Sequence, residues 1–479
     1  MEYKEKYRKF IINLDRSANS SEELLEKVSK SINQFLRNMD EEVEEANSEY
    51  GKPFEVYEQK QGDFDTSFEY TLNEKTEKIA KEGINDLINT APVTMATQYK
   101  KINSIEINNK IDNIKDKYSI ECKKKSDNIF YNTVTIDSNK GNKVLYFYSY
   151  ESDCCRILYQ IDKNNAIERK KNQPVLFRDF PLIGSENFHF PFFLDGFKFN
   201  PLESRNGLYL NGELNNEAIE NRKIIEKAID SSIVFTEFLI KQGIDKRYLW
   251  AKSYIPEPPQ KYDKCAIEWF IEKQKYWRNQ LKELELVKDE ETNNKLKLLK
   301  LPQFKEKINM TFFEIVQKFN VTDGILPLKN EFEIWYDIME KDPLKEVYNI
   351  KENTWNFNYL FTEEDLFKKI DNYHTLSNMA DNLNTDTGSI ADWLNQLYEF
   401  LSQNNCTDCF NKFSIIPNKK GDFKQITQIF GNDNANSIPE IINPIYKKIF
   451  GKEINDIMID ERIHLKNFEK IIKKNLKIF

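Results

Sequence analysis

The chain has 479 residues, 31% of them charged, a formal net charge of −8, and cores that must draw on 34 Phe and 23 Tyr. Only 14 Gly and 15 Pro argue against a fibrous or disordered chain, and the length suits roughly three domains. No run reaches the ~18 apolar residues that span a bilayer, the opening MEYKEKYRKF has no apolar signal core, and the six cysteines show no framework spacing. The expectation is a cytoplasmic protein with no membrane partner. An acidic balance also disfavours nucleic acid as a partner, leaving only local basic clusters at Lys123 to Lys125, Arg169 to Lys171 and Lys466 to Lys477, which read as solvated faces.

The first element in chain order is strand-like, with Tyr7, Phe10, Ile12 and Leu14 alternating. Ser20 with Glu23 three residues on forms a capping box ahead of a helix whose apolar face is Leu24, Leu25, Val28, Ile32, Phe35 and Leu36. Residues 40–63 read as a polar surface loop or a frayed extension of that helix. Phe64 to Leu72 alternates again, and a helix is predicted from about Glu74 to Ile88. From Ile102 to Leu210 the pattern is mostly β. Strands are predicted at Ser104 to Ile107, Ile129 to Ile136 and Val144 to Tyr150, with Asn139-Lys140-Gly141-Asn142 as a hairpin turn. Phe180 to Leu210, dense in Phe, Pro and Gly, reads as strands joined by tight corners. Beyond Asn215 the period becomes helical, with one long helix through Ile219 to Leu239 and another through Trp269 to Leu284. Gln303 to Phe479 is mainly helical with a β-like insertion near Phe413 to Phe423. The fold class is therefore α+β.

Few motifs carry chemistry. Cys406-Thr407-Asp408-Cys409 is a single CxxC; a structural zinc site needs two more ligands, and the βαβ setting of a redox motif is missing, so the thiols read as incidental or buried. Asp386-Thr387-Gly388-Ser389 copies an aspartic-protease string, but that chemistry needs two such loops, so a helix cap explains it better. There is no GxxxxGK[ST], GxGxxG or GxSxG, and only three histidines, of which His189 sits in a Phe-rich run as a core residue.

The most specific string is FRDFPLIGSENFHFPFFLDGFKFNPLESRNGLYLNGE, Phe177 to Glu213. It resembles the stretch that follows the nucleotide-binding domain in sacsin-like ATPases, relatives of the ninety-kilodalton heat-shock chaperones. Leu14-Asp15-Arg16-Ser17 with its acidic helix, Phe64 to Tyr70, Trp393-Leu394-Asn395, and Ile416 to Phe423 as a PN-x-x-G-x-F element resemble further pieces in the same order. The resemblance implies the GHKL ATPase class, whose ATP site uses an E-x-x-x-N helix, a D-x-G-x-G loop and a Gly-rich lid. Here Val43 stands four residues before Asn47, Asp386-Thr387-Gly388 lacks the second Gly, and no lid sequence occurs.

By that resemblance the chain divides into a C-terminal remnant of the ATPase domain and its sheet (1–100), a β-rich, mixed α/β middle domain (101–214), a helical segment (215–300) and an α-rich C-terminal domain (301–479). It implies that Thr66, on the last-strand motif, lies near adenine as a cofactor-binding residue, although Asp65 stands where the class has Gly. It also implies that Arg205 acts as a catalytic cation near the γ-phosphate. The plainer alternatives are a strand threonine and a turn arginine paired with Glu203 or Glu213. No cofactor is expected on this chain alone; ATP and Mg would be held by an ATPase domain encoded upstream, so no ATPase activity is expected without it. The implied function is the middle and C-terminal part of a chaperone or switch ATPase acting on a protein client. The alternative is a nucleotide-independent protein-interaction scaffold, with phage defence as one setting.

Overall fold

The computed structural model describes residues 6–7, 18, 20–48, 57–58, 72–186, 188, 190–252, 262–340, 354–430 and 443–464. They fall in two compact units, Met1–Ala80 and Lys81–Phe479. In the first, a two-stranded antiparallel ladder pairs β1 (Lys6–Tyr7) with β2 (Tyr57–Glu58). Helix α1 (Ser21–Ser48) starts where Ser20 Oγ accepts the Glu23 N–H at 3.2 Å, the predicted N-cap. It runs well into the stretch read as loop or frayed extension. The strand expected at Phe64 to Tyr70 lies outside the described residues, as do His189 and the basic tail from Lys466.

Helix α2 (Glu74–Thr97) is longer than predicted, because it continues through Pro92 rather than ending near Ile88. Its last turns are buried, and burial of Ala91, Val93, Met95 and Ala96 outweighs the hydrogen bond that proline removes. These residues cover one face of a nine-stranded sheet, packing on Ile107, Tyr118, Val134, Phe147, Leu158, Phe177 and Phe193.

That sheet is built from β3 (Ser104–Asn109), β4 (Ile114–Lys124), β5 (Ile129–Ser138), β6 (Lys143–Glu151), β7 (Cys155–Asp162), β8 (Asn165–Ala166), β9 (Leu176–Arg178), β10 (Phe180–Pro181) and β11 (Phe193–Gly196). Strands β3 to β7 form an antiparallel meander, β11 follows β7 antiparallel, and β9 joins β11 in parallel. The predicted β3, β5, β6 and the turn at Gly141 (φ 122°) are present. Between Phe180 and Leu210, by contrast, only β10 and β11 are regular. The rest is irregular chain pinned by buried rings, since Phe188, Phe190, Phe192 and Phe199 all enter the core.

The opposite sheet face carries Cys155, Ile157, Tyr159 and Ile161 against α3 (Asn216–Lys241). Helix α3 is capped by Asn215, whose side chain accepts the Ala218 N–H. Then come α4 (Tyr248–Ala251) and α5 (Lys264–Leu281), the latter capped by Asp263. Strands β12 (Val287–Lys288) and β13 (Asn293–Asn294) form a hairpin. A three-stranded sheet of β14 (Leu301–Phe304), β15 (Lys307–Ile308) and β16 (Leu360–Thr362) was not predicted; its central strand pairs antiparallel with β15 and parallel with β16. Around it lie α6 (Met310–Gln317), α7 (Phe332–Glu340), α8 (Glu363–Tyr373), α9 (Leu376–Asn382) and α10 (Thr387–Gln403). The chain closes with α11 (Cys409–Lys412), the hairpin β17 (Ile416–Pro417) with β18 (Phe423–Lys424), and α12 (Asn443–Phe450).

Among the described residues, one apolar cluster takes its members from between Ile129 and Ile463. The segments 101–214, 215–300 and 301–479 thus share a core. Helices and strands are segregated as in an α+β protein. Among the described residues, no helix is long and apolar enough to cross a membrane.

Candidate functional site

Cross-strand register brings three charges together on the sheet face that α2 covers. Glu151 ends β6 directly opposite Arg156 on β7, and Arg156 in turn faces Asp195 on β11. The ladder therefore sets carboxylate, guanidinium and carboxylate side by side on three neighbouring strands. Arg156 is 5% exposed and Asp195 2% exposed, so both charges have left water. Arg156 bonds Glu151 at 2.8 Å and lies 3.7 Å from Asp195. Its guanidinium also sits 4.8 Å from the centre of the Tyr99 ring and 5.4 Å from that of Phe197.

The turn that ends α2 completes this arrangement. Gln98 Nε2 donates to Asp195 Oδ2 at 2.8 Å, the Tyr99 hydroxyl to Glu151 at 3.1 Å, and Lys100 Nζ to Glu151 at 2.6 Å. Lys101 reaches Asp179 at 2.8 Å. Asp179 occupies the corner between β9 and β10 in the left-handed region (φ 63°); its N–H donates to Asp195 Oδ1 and its carboxylate pairs with Arg178.

Electrostatics divide the corner into an inner and an outer part. Burial pushes the Asp195 carboxyl up against the pull of Arg156. Burial also acts to raise Glu151, but hydrogen bonds from Lys100 and Arg156 more than offset it, and Glu151 stays below the usual carboxylate range. The Lys101 hydrogen bond is the main cause that lowers Asp179. Burial, with the nearby Glu151 charge, holds the Tyr99 hydroxyl protonated far above its ordinary range.

Arg205 stands at the outer edge. It is exposed, at φ 52°, at the tip of a loop closed by Leu202 N–H to Gly207 O and by pairing of Pro201 with Leu208. Its Nη2 donates to the Arg178 carbonyl at 3.1 Å. Neither Glu203 nor Glu213 pairs with it, and among the described residues no carboxylate lies within ion-pair distance of its guanidinium. Two features brace the loop. Gly184 (φ 113°) lies so close to Asn206 that a Cβ there would stand 2.7 Å from the Asn206 carbonyl oxygen, so only glycine fits. Asn221 of α3, fully buried, donates to the carbonyls of Asn200 and Tyr209 and accepts the Asn200 N–H.

The corner thus gathers five cations, Lys100, Lys101, Arg156, Arg178 and Arg205, against three carboxylates. Arg156 is consumed internally. Arg178 and Arg205 lie at the surface with guanidinium donors to spare, an arrangement suited to an anion with several oxygens, such as a phosphate. Thr66, the other predicted site residue, lies outside the described residues.

Sequence reading found Arg205 but missed Glu151, Arg156, Asp195 and the Gln98 to Lys101 turn. The available signal was Glu151 and Arg156 placed symmetrically about the Asp153-Cys154 turn, which reads as a charged cross-strand pair once the hairpin is recognised.

The remaining motifs settle as structure. Asp386 caps α10, accepting N–H groups from Gly388 and Ser389 at 2.8 and 3.0 Å. Lys123 pairs with Glu121 and Lys124 with Asp127 at the surface, whereas Arg169 is drawn inward to donate to Gln173 O at 2.6 Å. An aromatic recess lined by Phe188, Phe190, Trp269, Phe270 and Trp277 encloses about 20 Å³, room for one water and too tight for a nucleotide base. Among the described residues no group of three or more His, Cys, Asp or Glu is placed to hold a metal ion. No protein-family model, curated protein or solved structure matches the chain.

Proposed function

We propose that the chain is the transducing part of a sacsin-like, chaperone-type or switch ATPase, in which Arg205 meets the phosphates of ATP held with magnesium by an ATPase domain outside these 479 residues. The observation that carries this reading is the state of Arg205: exposed, held in a braced left-handed turn, and without a carboxylate partner among the described residues. After the Lys101 hydrogen bond, its charge also lowers the Asp179 carboxyl without forming an ion pair with it, whereas Arg156 spends its charge on Glu151 at 2.8 Å. The Phe177 to Glu213 run, which carries the family resemblance, also supplies Arg178, Asp179 and Asp195 to the same corner.

Coupling follows from connectivity. Phosphate contact at Arg205 would pull the loop from Pro201 to Leu208, whose flanks are hydrogen-bonded to Asn221, and α3 carries Asn221 across the sheet face toward the helical half. Loss or gain of the γ-phosphate would then bias the position of α3. Thr66 would approach the adenine, and a protein client would sense the helical half.

A second reading, a nucleotide-independent interaction scaffold, draws on α1, where Leu25, Ile32 and Leu36 form an exposed apolar stripe at helical spacing, Leu25 being 69% exposed.

Titration calorimetry with MgATP separates the two. The transducer reading expects no heat of binding from the chain alone, and both binding and hydrolysis once the ATPase domain encoded upstream is added. Silence in the mixture, with a partner protein still captured through α1, would leave the scaffold.

A further inference from the structure

We infer that Cys406 and Cys409 form a thiol–disulfide exchange site that takes small disulfides of the glutathione class, with Cys406 as the attacking thiol and Cys409 as the resolving one. The chain delivers the pair deliberately. Helix α10 ends at Asn404, Asn405 turns the backbone left-handed (φ 52°), and Cys406 N–H closes back on Leu401 O at 2.9 Å. The turn then leads into α11, whose first residue is Cys409. Cys406 is half-buried at the edge of the core; Cys409 is 5% exposed, and its Sγ lies 3.2 Å from the Cys406 carbonyl oxygen. An outer thiol is thus backed by an inner one within a single turn of chain.

The surroundings favour thiolate at the outer position. The hydrogen bond from Cys409 lowers Cys406, burial opposes it, and Lys305, anchored on Asn404 O at 2.5 Å, adds a lowering charge against Glu363 and Asp408. Cys409 moves the opposite way, raised by the neighbouring Cys406 and by burial, and its S–H donates to the Cys406 carbonyl.

The other cysteines lack this geometry. Cys122 and Cys265 have no cysteine within a turn of chain. Cys154 and Cys155 are adjacent, and Cα atoms about 3.8 Å apart across a trans peptide fall short of the roughly 4.4–6.8 Å that a disulfide spans. Cys155 is also fixed in β7 by pairing with Gly196.

In the first step the Cys406 thiolate attacks one sulfur of the small disulfide. A mixed disulfide forms, the S–S bond of the reagent breaks, and one small thiolate leaves with the electron pair and takes up a proton. In the second, Cys409 loses its proton, attacks the Cys406 sulfur and expels the second small thiol. Two protein thiols are oxidised and one small disulfide is reduced to two thiols, so no further oxidant is required.

The test incubates the full chain with glutathione disulfide and maps every cysteine by mass spectrometry over time. The expected product is an internal Cys406–Cys409 disulfide, with Cys406 reacting roughly tenfold faster than Cys265. Cys409→Ser should halt at a mixed disulfide with glutathione on Cys406, and Cys409→Ala serves if the serine variant does not fold. Cys406→Ser should abolish reaction at Cys409. A wild-type chain that stops at the mixed disulfide overturns the resolving role, and one in which Cys406 reacts no faster than Cys265 overturns the site.

Discussion

The corner around Arg205 and the turn around Asn418 both lie in stretches that stand out in the sequence, and they treat polar groups in opposite ways. Asn418 is fully buried and closed on itself. Its Oδ1 accepts the N–H groups of Lys420 and Asp422, its Nδ2 donates to Asp422 and to Asp456 O, and Gly421 (φ 87°) permits the tight return. Every donor and acceptor of that amide is spent on joining β17, β18 and the segment ending at Asp456. The corner has such an inner part too, in Arg156 with Glu151 and Asp195, but beyond it lies a rim where Arg178 pairs with Asp179 and Arg205 gives one bond to the Arg178 carbonyl, with guanidinium donors left over. A polar group already spent on its own fold has nothing left for a ligand. Function is therefore to be sought at the rim.

The largest effect that follows is at the centre of the corner. Arg156→Ala leaves the buried Asp195 without its cation and takes one of the two cations of Glu151, and should cost about 3–5 kcal/mol in urea unfolding; a loss no larger than that of a surface arginine would break the distinction between inner and outer parts. Asn418→Ala removes a buried amide with several partners and should cost roughly 2 kcal/mol. In contrast to Arg156, it should leave every nucleotide-dependent readout unchanged.

Acid should act next. Glu151 and Asp179 are held below the usual carboxylate range, so the stability they contribute is complete above the unfolded values near pH ~4 and is lost as pH falls through the lower folded values. Asp195, raised by burial, runs the other way and gains as it protonates. The expected net result is a decline in unfolding free energy below about pH 4, which Glu151→Gln flattens. A slope unchanged in that variant would place the acid sensitivity elsewhere. The smallest effect on stability belongs to Arg205→Ala, within about 0.5 kcal/mol of wild type, as for surface positions generally.

Sequence pattern found the long amphipathic helices α3 and α5 and strands β3, β5 and β6, because each has one buried face and a clear period. It passed over β4, whose outward side chains include Lys115, Lys117 and Lys123, and β7, which is buried on both faces because α2 covers one side and α3 the other. It also missed β14 and β16, too short to show a period. The corner was legible only at Arg205. Its other members come from four separate segments, and register, not local sequence, sets Arg156 between Glu151 and Asp195. The cysteine pair was visible as CxxC, but which thiol faces solvent depends on how α10 ends.

The central claim is that Arg205 serves a ligand and not the fold. Its most direct test measures ATP turnover and urea unfolding in parallel for wild type and Arg205→Ala, each mixed with the ATPase domain encoded upstream. The account expects turnover to drop by a factor on the order of 10³ or more, with the unfolding curve superimposable on wild type. Unchanged turnover accompanied by a loss of stability would make Arg205 a turn arginine and remove the corner from the function.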